Sequence, residues 1–416
     1  MRTRSVKCLS LVLSLCLLSA LLLPAASAEP APTLPVTAAP DLGLTAKSAV
    51  LMEASTGKIL YAKDPAEAMP PASVTKIMTL LLVMECIDAK TLKWEDTITA
   101  SAHAASMGGS QIFLKEGEQM TARDLIKSVV IASANDAAVA LAEHTYGSEE
   151  AFVKRMNERA AELGMTATHF ENTNGLDDTA QNHVTSAGDI AIMSRELIRH
   201  KEILEFSSTW MDTIRNGQFG LTNTNRLVRF YRGCNGLKTG STKKAGFCVS
   251  VTAERDGMTL ICVIMGAESR DIRNAEAQKL LDWGFATYGL FTAESGTLDP
   301  LRVTGGTSDE VGISYPRFTA VLPKSDLTAV EHTVTLPESV KAPVRAGETV
   351  GKISYTCKGE ALGEIPITAT ETAERLSFWE LWGRVLKGVL CIGYRKATLE
   401  LTEPVKTDIE IKSLLW

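Results

Sequence analysis

The sequence predicts an α+β protein, and three observations lead to that class. Two short strand patterns lie on either side of residue 55, a second hairpin turns near residue 256, and helical periodicity fills the stretch between them. Beyond residue 300 the helical period ends, and short alternating runs punctuated by glycine and proline replace it. We therefore expect a mixed α and β domain over residues 44–292 and a small all-β domain over residues 300–372.

Each element of the first domain has a local signal. Turn residues 54–57 separate the two short strands, and Asp256-Gly257 is typical of a tight hairpin turn. Thr121 is a favourable N-cap for the helix that follows it. The strands are predicted at residues 48–52, 58–61, 246–251 and 260–265. Helices are predicted from residue 74 and at residues 122–130, 136–144, 149–163, 185–199 and about 274–288.

The sequence of the second domain predicts strands and no helices. The alternating runs lie at residues 319–322, 331–336, 350–357 and 360–367. Pro366 lacks a backbone N–H, so we expect the last run to be an edge strand at best. No residue pattern in this domain suggests chemistry, and we interpret it as a structural spacer.

The N-terminus has the features of an export signal. Three basic residues precede an apolar run at residues 8–23 and small residues at 26–28, which predicts a secretory signal peptide over residues 1–28. The run of 16 residues is short for a membrane-spanning helix. Residues 29–43 are rich in proline and alanine and are interpreted as an extended spacer.

Charge and cysteine content exclude several classes of function. Residues 1–28 carry three basic and no acidic side chains, so their removal lowers the net charge from −6 to −9 and argues against a nucleic-acid partner. The remaining six cysteines form no C-x-x-C pair, and the histidines are scattered, so we predict no metal and no cofactor. Cys248 and Cys262 flank the hairpin turn, and their pairing depends on the register. Buried free thiols are the favoured interpretation of the cysteines.

Ser73 and Lys76 are the first candidate reactive pair. Pro70 and Pro71 precede Ser73 and favour an extended approach to a helix start. Residues three apart share a helix face, so the lysine amine lies beside the serine hydroxyl and is able to take its proton if its pKa is lowered. On this motif alone, an N-cap role for Ser73 remains the alternative.

Two later motifs complete a recognisable set. Ser133-Ala134-Asn135 follows a predicted helix, and Lys238-Thr239-Gly240 precedes an apolar strand. In this order, with Ser73-x-x-Lys76 first, they form the motif set of penicillin-binding proteins and class A β-lactamases. The chain resembles the low-molecular-mass penicillin-binding proteins, the serine-type D-alanyl-D-alanine carboxypeptidases. The matching segments are residues 71–79, 133–137, 174–176, 236–246 and 273–285, with His183 and Asp189.

The resemblance implies a fold and an activity. The implied catalytic domain, residues 44–292, has an antiparallel sheet with helices on both faces and a helical lobe beside it. The implied activity is removal of the terminal D-Ala from peptidoglycan stem pentapeptides through an acyl-enzyme on Ser73. Stem peptides ending in D-Ala-D-Ala are then the substrates, and β-lactams are covalent inhibitors.

The residue chemistry agrees with this activity. Ser73 is the nucleophile and Lys76 the first candidate for the base, with Ser133 as a possible relay, and the three are assigned as a catalytic set. Lys238 is a nearby cation that lowers the pKa of Lys76. Lys238 and Thr239 also suit a terminal carboxylate.

Other residues of the motifs supply further contacts to the substrate. Asn135 offers its amide to the substrate backbone, and Gly240 leaves room for a substrate strand. By resemblance, the backbone N–H groups of Ser73 and Ser241 form the oxyanion hole, and Arg273 lies near the substrate carboxylate. A surface helix-capping role is the alternative for Arg273. Thr224 stands where some relatives carry an arginine.

The C-terminal stretch 374–396 predicts an amphipathic helix. Eight apolar residues, two of them tryptophans, share one half of its circumference, and Arg384 and Lys387 lie on the opposite strip to meet anionic lipid. We interpret it as an anchor to the membrane surface; a helix packed on the β domain is the alternative. We assign no role to the tail at 397–416. The expected location is outside the cell, at the outer face of the cytoplasmic membrane and the cell wall.

Two other functions compete with the carboxypeptidase. A class A β-lactamase requires a Glu-x-x-Leu-Asn deacylation motif between the second and third motifs, and the sequence contains none. A non-catalytic penicillin-binding sensor or scaffold is disfavoured because the serine and both lysines are intact.

Overall fold

The computed structural model describes residues 40–177 and 180–390, with side chains to residue 387. The predicted signal peptide, the spacer up to residue 39, Cys391, the end of the predicted C-terminal helix and the tail at 397–416 lie outside the described residues.

Helices dominate the first half of the described chain and strands the second. The helices are α1 (Lys76–Asp88), α2 (Ala102–Ala105), α3 (Ala122–Ile131), α4 (Asn135–Tyr146), α5 (Glu149–Glu162), α6 (Ala187–Leu197), α7 (Lys201–Ser207), α8 (Leu227–Phe230), α9 (Arg270–Thr287) and α10 (Phe378–Leu390). Short 3₁₀ turns cover Ala72–Thr75 and Lys324–Ala329. The strands are β1 (Ser48–Glu53), β2 (Ile59–Lys63), β3 (Thr97–Thr99), β4 (Gln119–Thr121), β5 (Met211–Ile214), β6 (Phe219–Thr222), β7 (Cys234–Thr242), β8 (Gly246–Arg255), β9 (Met258–Ala267), β10 (Tyr288–Ala293), β11 (Gly296–Thr304), β12 (Glu310–Tyr315), β13 (Phe318–Pro323), β14 (Val330–Thr335), β15 (Ser339–Lys341), β16 (Thr349–Cys357) and β17 (Glu360–Ala369).

A five-stranded antiparallel sheet, ordered β2-β1-β9-β8-β7, forms the centre of the first domain. Neighbouring side chains along a strand point to opposite faces. Cys262 points to the α9 face, where its Sγ lies 3.8 Å from the carbonyl of Ala277. Ser250 pairs with Val263 on the other face and contacts Ser194 of α6 at 2.8 Å. Helices therefore cover both faces, and the predicted α+β architecture is confirmed.

Helix α1 lies inside the protein on all sides. Every residue from Lys76 to Met84 is buried, so no face of this segment meets water. A helix that is apolar all round belongs in a core. Its neighbours include α4 and α6, which supply many of the remaining side chains of the main hydrophobic cluster. The N-terminal end of α1, where Ser73 lies, is thereby fixed by the largest core of the molecule.

N-cap residues determine where α3 and α9 begin. Thr121 accepts a hydrogen bond from the N–H of Asp124 at 3.2 Å, which confirms the predicted N-cap of α3. Helix α9 begins at Arg270, four residues before the predicted start, because Ser269 caps it by accepting from the N–H of Ile272 at 3.2 Å. Arg273 consequently lies in the first turn of α9.

A second, six-stranded sheet is ordered β14-β16-β17-β12-β11-β15 and has its own hydrophobic core. The prediction that the strand with Pro366 is an edge strand at best was wrong, since β17 lies between β16 and β12. Its pairing with β12 involves only Thr368 and Ala369, beyond the proline. At Pro366 itself the strand has a partner on one side only, opposite Lys352 of β16, so the missing N–H is tolerated.

The described cysteines are free thiols, as favoured from the sequence. Strand register explains why Cys248 and Cys262 do not pair. Cys262 lies opposite Val251 on β8, while Cys248 lies opposite Gly240 on β7. Burial raises the pKa of both thiols.

Helix α10 follows the second sheet and is joined to it by one arginine. Arg384 donates to Asp309 Oδ1 at 2.6 Å and to the carbonyl of Thr307 at 2.7 Å. The guanidinium of Arg384 thus contacts the segment between β11 and β12, although the side chain remains 42% exposed. Lys387 is exposed as well, and the expectation that both residues meet lipid stays a prediction. Within residues 40–177 and 180–390, no helix has the length and apolar character required to cross a bilayer.

Candidate active site

Ser73 lies in the 3₁₀ turn that leads directly into α1. Lys76 Nζ lies 2.9 Å from Ser73 Oγ and donates to the carbonyl of Asn174 at 2.7 Å. The N-cap position of α1 belongs to Thr75, so the serine hydroxyl is directed to the lysine and not to a backbone cap. The first two predicted site residues are thus brought together by one turn of helix.

Two glycines allow other segments to approach this turn closely. A Cβ at Gly240 of β7 would lie 2.8 Å from the N atom of Ser73 and from the carbonyl of Pro71. Gly175 has φ +83°, and its Cβ would lie 1.8 Å from the carbonyl of Ala72. The sequence analysis gave Gly240 the role of leaving room for substrate, and the structure adds a second role, the admission of the Ser73 turn.

The second motif joins α3 to α4. Ser133 adopts φ +63°, which is uncommon for a residue with a side chain, and its buried hydroxyl has no hydrogen-bond partner among the described residues. Asn135 donates from Nδ2 to the carbonyl of Gly108 at 2.7 Å, while its buried Oδ1 also lacks a described partner. A strained serine with a free hydroxyl suits a proton relay better than a purely structural role.

Asp136, which the sequence analysis missed, fixes the loop beside this motif. Its carboxylate accepts from the backbone N–H groups of Ile112 and Leu114 at 3.0–3.2 Å. The loop in turn supplies Ser110, whose carbonyl accepts from the N–H of Asn135 at 2.7 Å. The signal in the sequence was an acidic residue in the first turn of the helix, directly before the apolar run at residues 137–142.

Lys238 reaches the interior because of strand register. It lies opposite Ser250, so its side chain points to the face of the central sheet that packs against α6. It is fully buried, and its Nζ donates to the carbonyl of Thr239 at 3.0 Å. Burial, with the charge of Arg273 nearby, lowers the pKa of Lys238 to about 7.

The pKa of Lys76 is lowered well below its usual range. Burial is the main cause, the charge of Lys238 adds to it, and the carboxylate of Asp136 opposes it. An amine with a lowered pKa beside a serine hydroxyl is the arrangement that a general base requires. The sequence analysis predicted that Lys238 lowers the pKa of Lys76, and in the structure the charge of Lys238 acts in that direction.

His183 supports the Ser73 turn and is not a base for Ser73. Its Nδ1 accepts from the N–H of Glu171 at 3.0 Å, and its Nε2 lies 2.7 Å from Thr75 Oγ1, which donates to the carbonyl of Ala72. Burial lowers the pKa of His183 to about 4, so the ring is neutral at physiological pH.

A cavity of about 580 Å³ opens beside Ser73. Of the predicted site residues, Ser73, Ser133, Thr239, Gly240, Ser241 and Arg273 line it, whereas Lys76, Asn135 and Lys238 do not. Arg273 is buried and donates to the carbonyl of Cys248 at 3.4 Å, which excludes the surface-cap alternative. The sequence analysis missed several lining residues, namely Ser110, Trp210, Thr222, Asn223, Arg226, Phe230 and Arg270.

Thr224, where some relatives carry an arginine, also lines the cavity. Its hydroxyl accepts from Thr239 Oγ1 at 2.8 Å. The two threonines thus join the third motif to the segment between β6 and α8.

This fold and this cavity define a class, the penicillin-binding serine hydrolases. The structure is similar to that of penicillin-binding protein 5 from Haemophilus influenzae, with a TM-score of 0.71, 30% identity and coverage of 80% of this chain and 98% of that one. It is also similar to penicillin-binding protein D2 from Listeria monocytogenes in its ampicillin-bound form, with a TM-score of 0.55, 33% identity and coverage of 59% and 100%.

Sequence comparison gives the family within this class. A family model described as D-alanyl-D-alanine carboxypeptidase matches residues 35–269, and one described as the C-terminal domain of penicillin-binding protein 5 matches residues 291–375. D-alanyl-D-alanine carboxypeptidase DacF of Bacillus subtilis is 41% identical over 345 residues, which are 81% of this chain and 88% of the relative. The chain belongs to the D-alanyl-D-alanine carboxypeptidase family of serine hydrolases, as the sequence motifs predicted.

The close contact at Gly175 gives a testable prediction. Gly175→Ala combines a positive φ with a clash against the Ala72 carbonyl, so we expect a loss of at least about 3 kcal/mol in the free energy of unfolding. The matched control is Gly147→Ala, which has φ +85° but open space around the new Cβ and should lose about 1–2 kcal/mol. Thermal unfolding of both variants measures the difference, and equal losses would contradict the clash.

Proposed function

We propose that the protein is a serine-type D-alanyl-D-alanine carboxypeptidase that acts through Ser73. The observation that carries this proposal is the 2.9 Å contact between Ser73 Oγ and the Nζ of Lys76, an amine whose pKa is held well below its usual range. The family match favours this function over a β-lactamase and over a non-catalytic sensor. In this proposal residues 44–292 form the catalytic domain and residues 300–372 a spacer.

Acylation begins with transfer of the Ser73 proton. As Oγ attacks the carbonyl carbon of the penultimate D-Ala, its proton passes to Lys76 Nζ. The backbone N–H groups of Ser73 and Ser241 stabilise the oxyanion that forms. Collapse of the tetrahedral intermediate breaks the amide bond, and the proton passes through Ser133 to the leaving nitrogen of D-Ala. Water then hydrolyses the ester and restores the serine.

Substrate recognition involves β7 and residues that lie beside it. We assign the terminal carboxylate to Lys238, Thr239 and Arg273, and the substrate backbone to Asn135 and to the edge of the strand at Gly240. A carboxylate that arrives beside Lys238 favours its charged form. The restored charge then helps to keep Lys76 neutral, so substrate binding prepares the base for the reaction.

Penicillin labelling tests the assignment of Ser73. A β-lactam presents a carboxylate and a reactive amide, and its amine stays tethered after ring opening, so we expect a long-lived acyl-enzyme on Ser73. Mass spectrometry of the labelled protein should place the adduct at Ser73, and Ser73→Ala should not be labelled. Ser325→Ala, an exposed serine outside the cavity, is the control and should be labelled fully. An adduct on another residue would refute the assignment.

The pH profile of kcat/KM tests the two lysines. As the pH rises through the lowered pKa of Lys76, the base loses its proton and kcat/KM increases. As the pH rises further, past about 7, Lys238 becomes neutral and binds the substrate carboxylate more weakly, so kcat/KM decreases. For D-Ala release from a D-Ala-D-Ala peptide, we therefore expect a bell-shaped plot of kcat/KM against pH whose falling limb lies near pH 7.

Arginine keeps its charge at alkaline pH, so Lys238→Arg should shift that falling limb upward even if its maximum rate is lower. The control is Lys243→Arg, at an exposed lysine just after β7, which should keep the wild-type profile. An unchanged falling limb in Lys238→Arg would show that another group controls it.

We also propose that the protein acts at the cell wall and that α10 lies on the outer face of the cytoplasmic membrane. This proposal is supported by six apolar side chains of α10 that are exposed to water, namely Phe378, Trp379, Leu381, Trp382, Val385 and Leu386. Trp379 is 80% exposed, which is costly for a residue with so much apolar surface. Tryptophan favours the interface between lipid and water.

Liposome binding tests the membrane proposal. The double variant Trp379→Glu, Trp382→Glu should bind liposomes at least about a hundredfold more weakly, since each half-buried tryptophan contributes about 2–3 kcal/mol. Val334→Glu, at an exposed position of β14, is the control and should bind as the wild type does. Equal sedimentation of the double variant and the wild type would place the anchor elsewhere.

A further inference from the structure

The cavity beside Ser73 carries more positive charge than the terminal D-Ala requires. Lys238, Thr239 and Arg273 are enough for the single carboxylate of that residue. The cavity of about 580 Å³ is nevertheless lined by Arg226, Trp210, Phe230 and Arg270 as well, and these four residues are called the wall. The lining contains three arginines and, among the described residues, no Asp or Glu.

The charge of this wall contrasts with the rest of the chain. The protein as a whole has a net charge of −6, so a cationic wall is a local arrangement and not a consequence of composition. Arg226 and Arg270 are exposed and form no ion pair with a described carboxylate; Asp271 follows Arg270 on α9 but does not line the cavity. Arg270 and Arg273 are close enough for their charges to repel one another. An anion between these guanidinium groups relieves that repulsion.

An aromatic pair stands beside the arginines. The rings of Trp210 and Phe230 lie 6.3 Å apart in an edge-to-face arrangement, and Phe230 is 67% exposed. The guanidinium of Arg229 lies 5.5 Å from the Trp210 ring and 5.4 Å from the Phe230 ring, which adds a further cation to this end of the cavity. The wall therefore offers apolar surface for an aliphatic chain and cations for a group at its end.

We propose that Arg226 and Arg270, together with Trp210 and Phe230, form a subsite for a leaving group that carries a second carboxylate. The inference rests on the proposed function and extends it to the residue that is released. The bond cleaved and the path of the proton are unchanged. Two substrates share this chemistry: a stem peptide whose last D-residue has an acidic side chain, and a cross-linked dimer in which the leaving residue belongs to a neighbouring stem and continues to further carboxylates.

The test compares substrates within each variant, so that a partly folded preparation does not distort the result. The substrates are stem peptides ending in D-Ala-D-Ala, D-Ala-D-Glu and D-Ala-D-Gln, and a cross-linked dimer with its acceptor carboxylates free or amidated. The measured quantity is the ratio of kcat/KM for each charged substrate to that for its amide counterpart. The variants are the wild type, Arg226→Gln with Arg270→Gln, and Arg232→Gln. Arg232 is an exposed arginine of the same basic segment that does not line the cavity.

In the wild type we expect a ratio above one for at least one charged substrate, and about a tenfold fall of that ratio in the double variant, as charge-assisted hydrogen bonds are lost. Arg232→Gln should keep the wild-type ratio. A fall seen with D-Glu identifies an acidic terminal residue as the ligand, and a fall seen with the dimer identifies the acceptor stem.

Release of D-Ala by the wild type with charged-to-amide ratios of one would overturn the subsite and leave the proposed function intact. Equal ratios in the wild type and the double variant, or an equal fall in Arg232→Gln, would also overturn it. Failure of the wild type to release any terminal residue would remove the proposed function, and the subsite with it.

Discussion

Burial of two lysine side chains beside a serine is the constraint on which the rest of this site depends. Lys76 and Lys238 are almost inaccessible to water, and no carboxylate of the described residues lies within ion-pair distance of either. Burying an ammonium group without a counter-ion costs free energy, so burial favours the neutral amine. The two amines donate hydrogen bonds to backbone carbonyls instead, Lys76 to that of Asn174 and Lys238 to that of Thr239. A neutral amine at Lys76, buried beside the serine hydroxyl, is what makes that hydroxyl reactive near neutral pH.

The fold maintains this burial by close packing of backbone. Helix α1 is enclosed on every side, strand β7 touches the Ser73 turn at Gly240, and the 174–176 segment touches it at Gly175. Ala72 and Ser133 adopt positive φ, a conformation that costs free energy for residues with a side chain. That cost is sustained because the surrounding core is large and rigid. Strain and burial at the site are thus both supported by the packing of α1.

Charge is distributed unevenly over this acidic chain. The cavity is lined by arginines, whereas several acidic residues near it are used structurally, as Asp136 is in fixing the 112–114 loop. In the second domain, Asp309, which lies between β11 and β12, accepts a hydrogen bond from Arg384 of α10. Cations therefore line the cavity, while one cation of α10 pairs with a carboxylate beside the second sheet.

The sequence by itself determined the fold class, the three motifs and the family, because side-chain identity at short spacing carries that information. Ser73-x-x-Lys76 lies within one turn of chain, so local helix geometry was enough to place the two groups together. The sequence also indicated a role for Asn174-Gly175 only as part of a resemblance, since a backbone carbonyl that accepts from Lys76 leaves no side-chain signature. Tertiary structure alone decided the register that turns Lys238 inward, the one-sided pairing at Pro366 and the presence of Arg226 and Arg270 in the lining of one cavity. Each of these depends on contacts between residues far apart in the chain, and a shift of one residue in strand register would have reversed the outcome for Lys238.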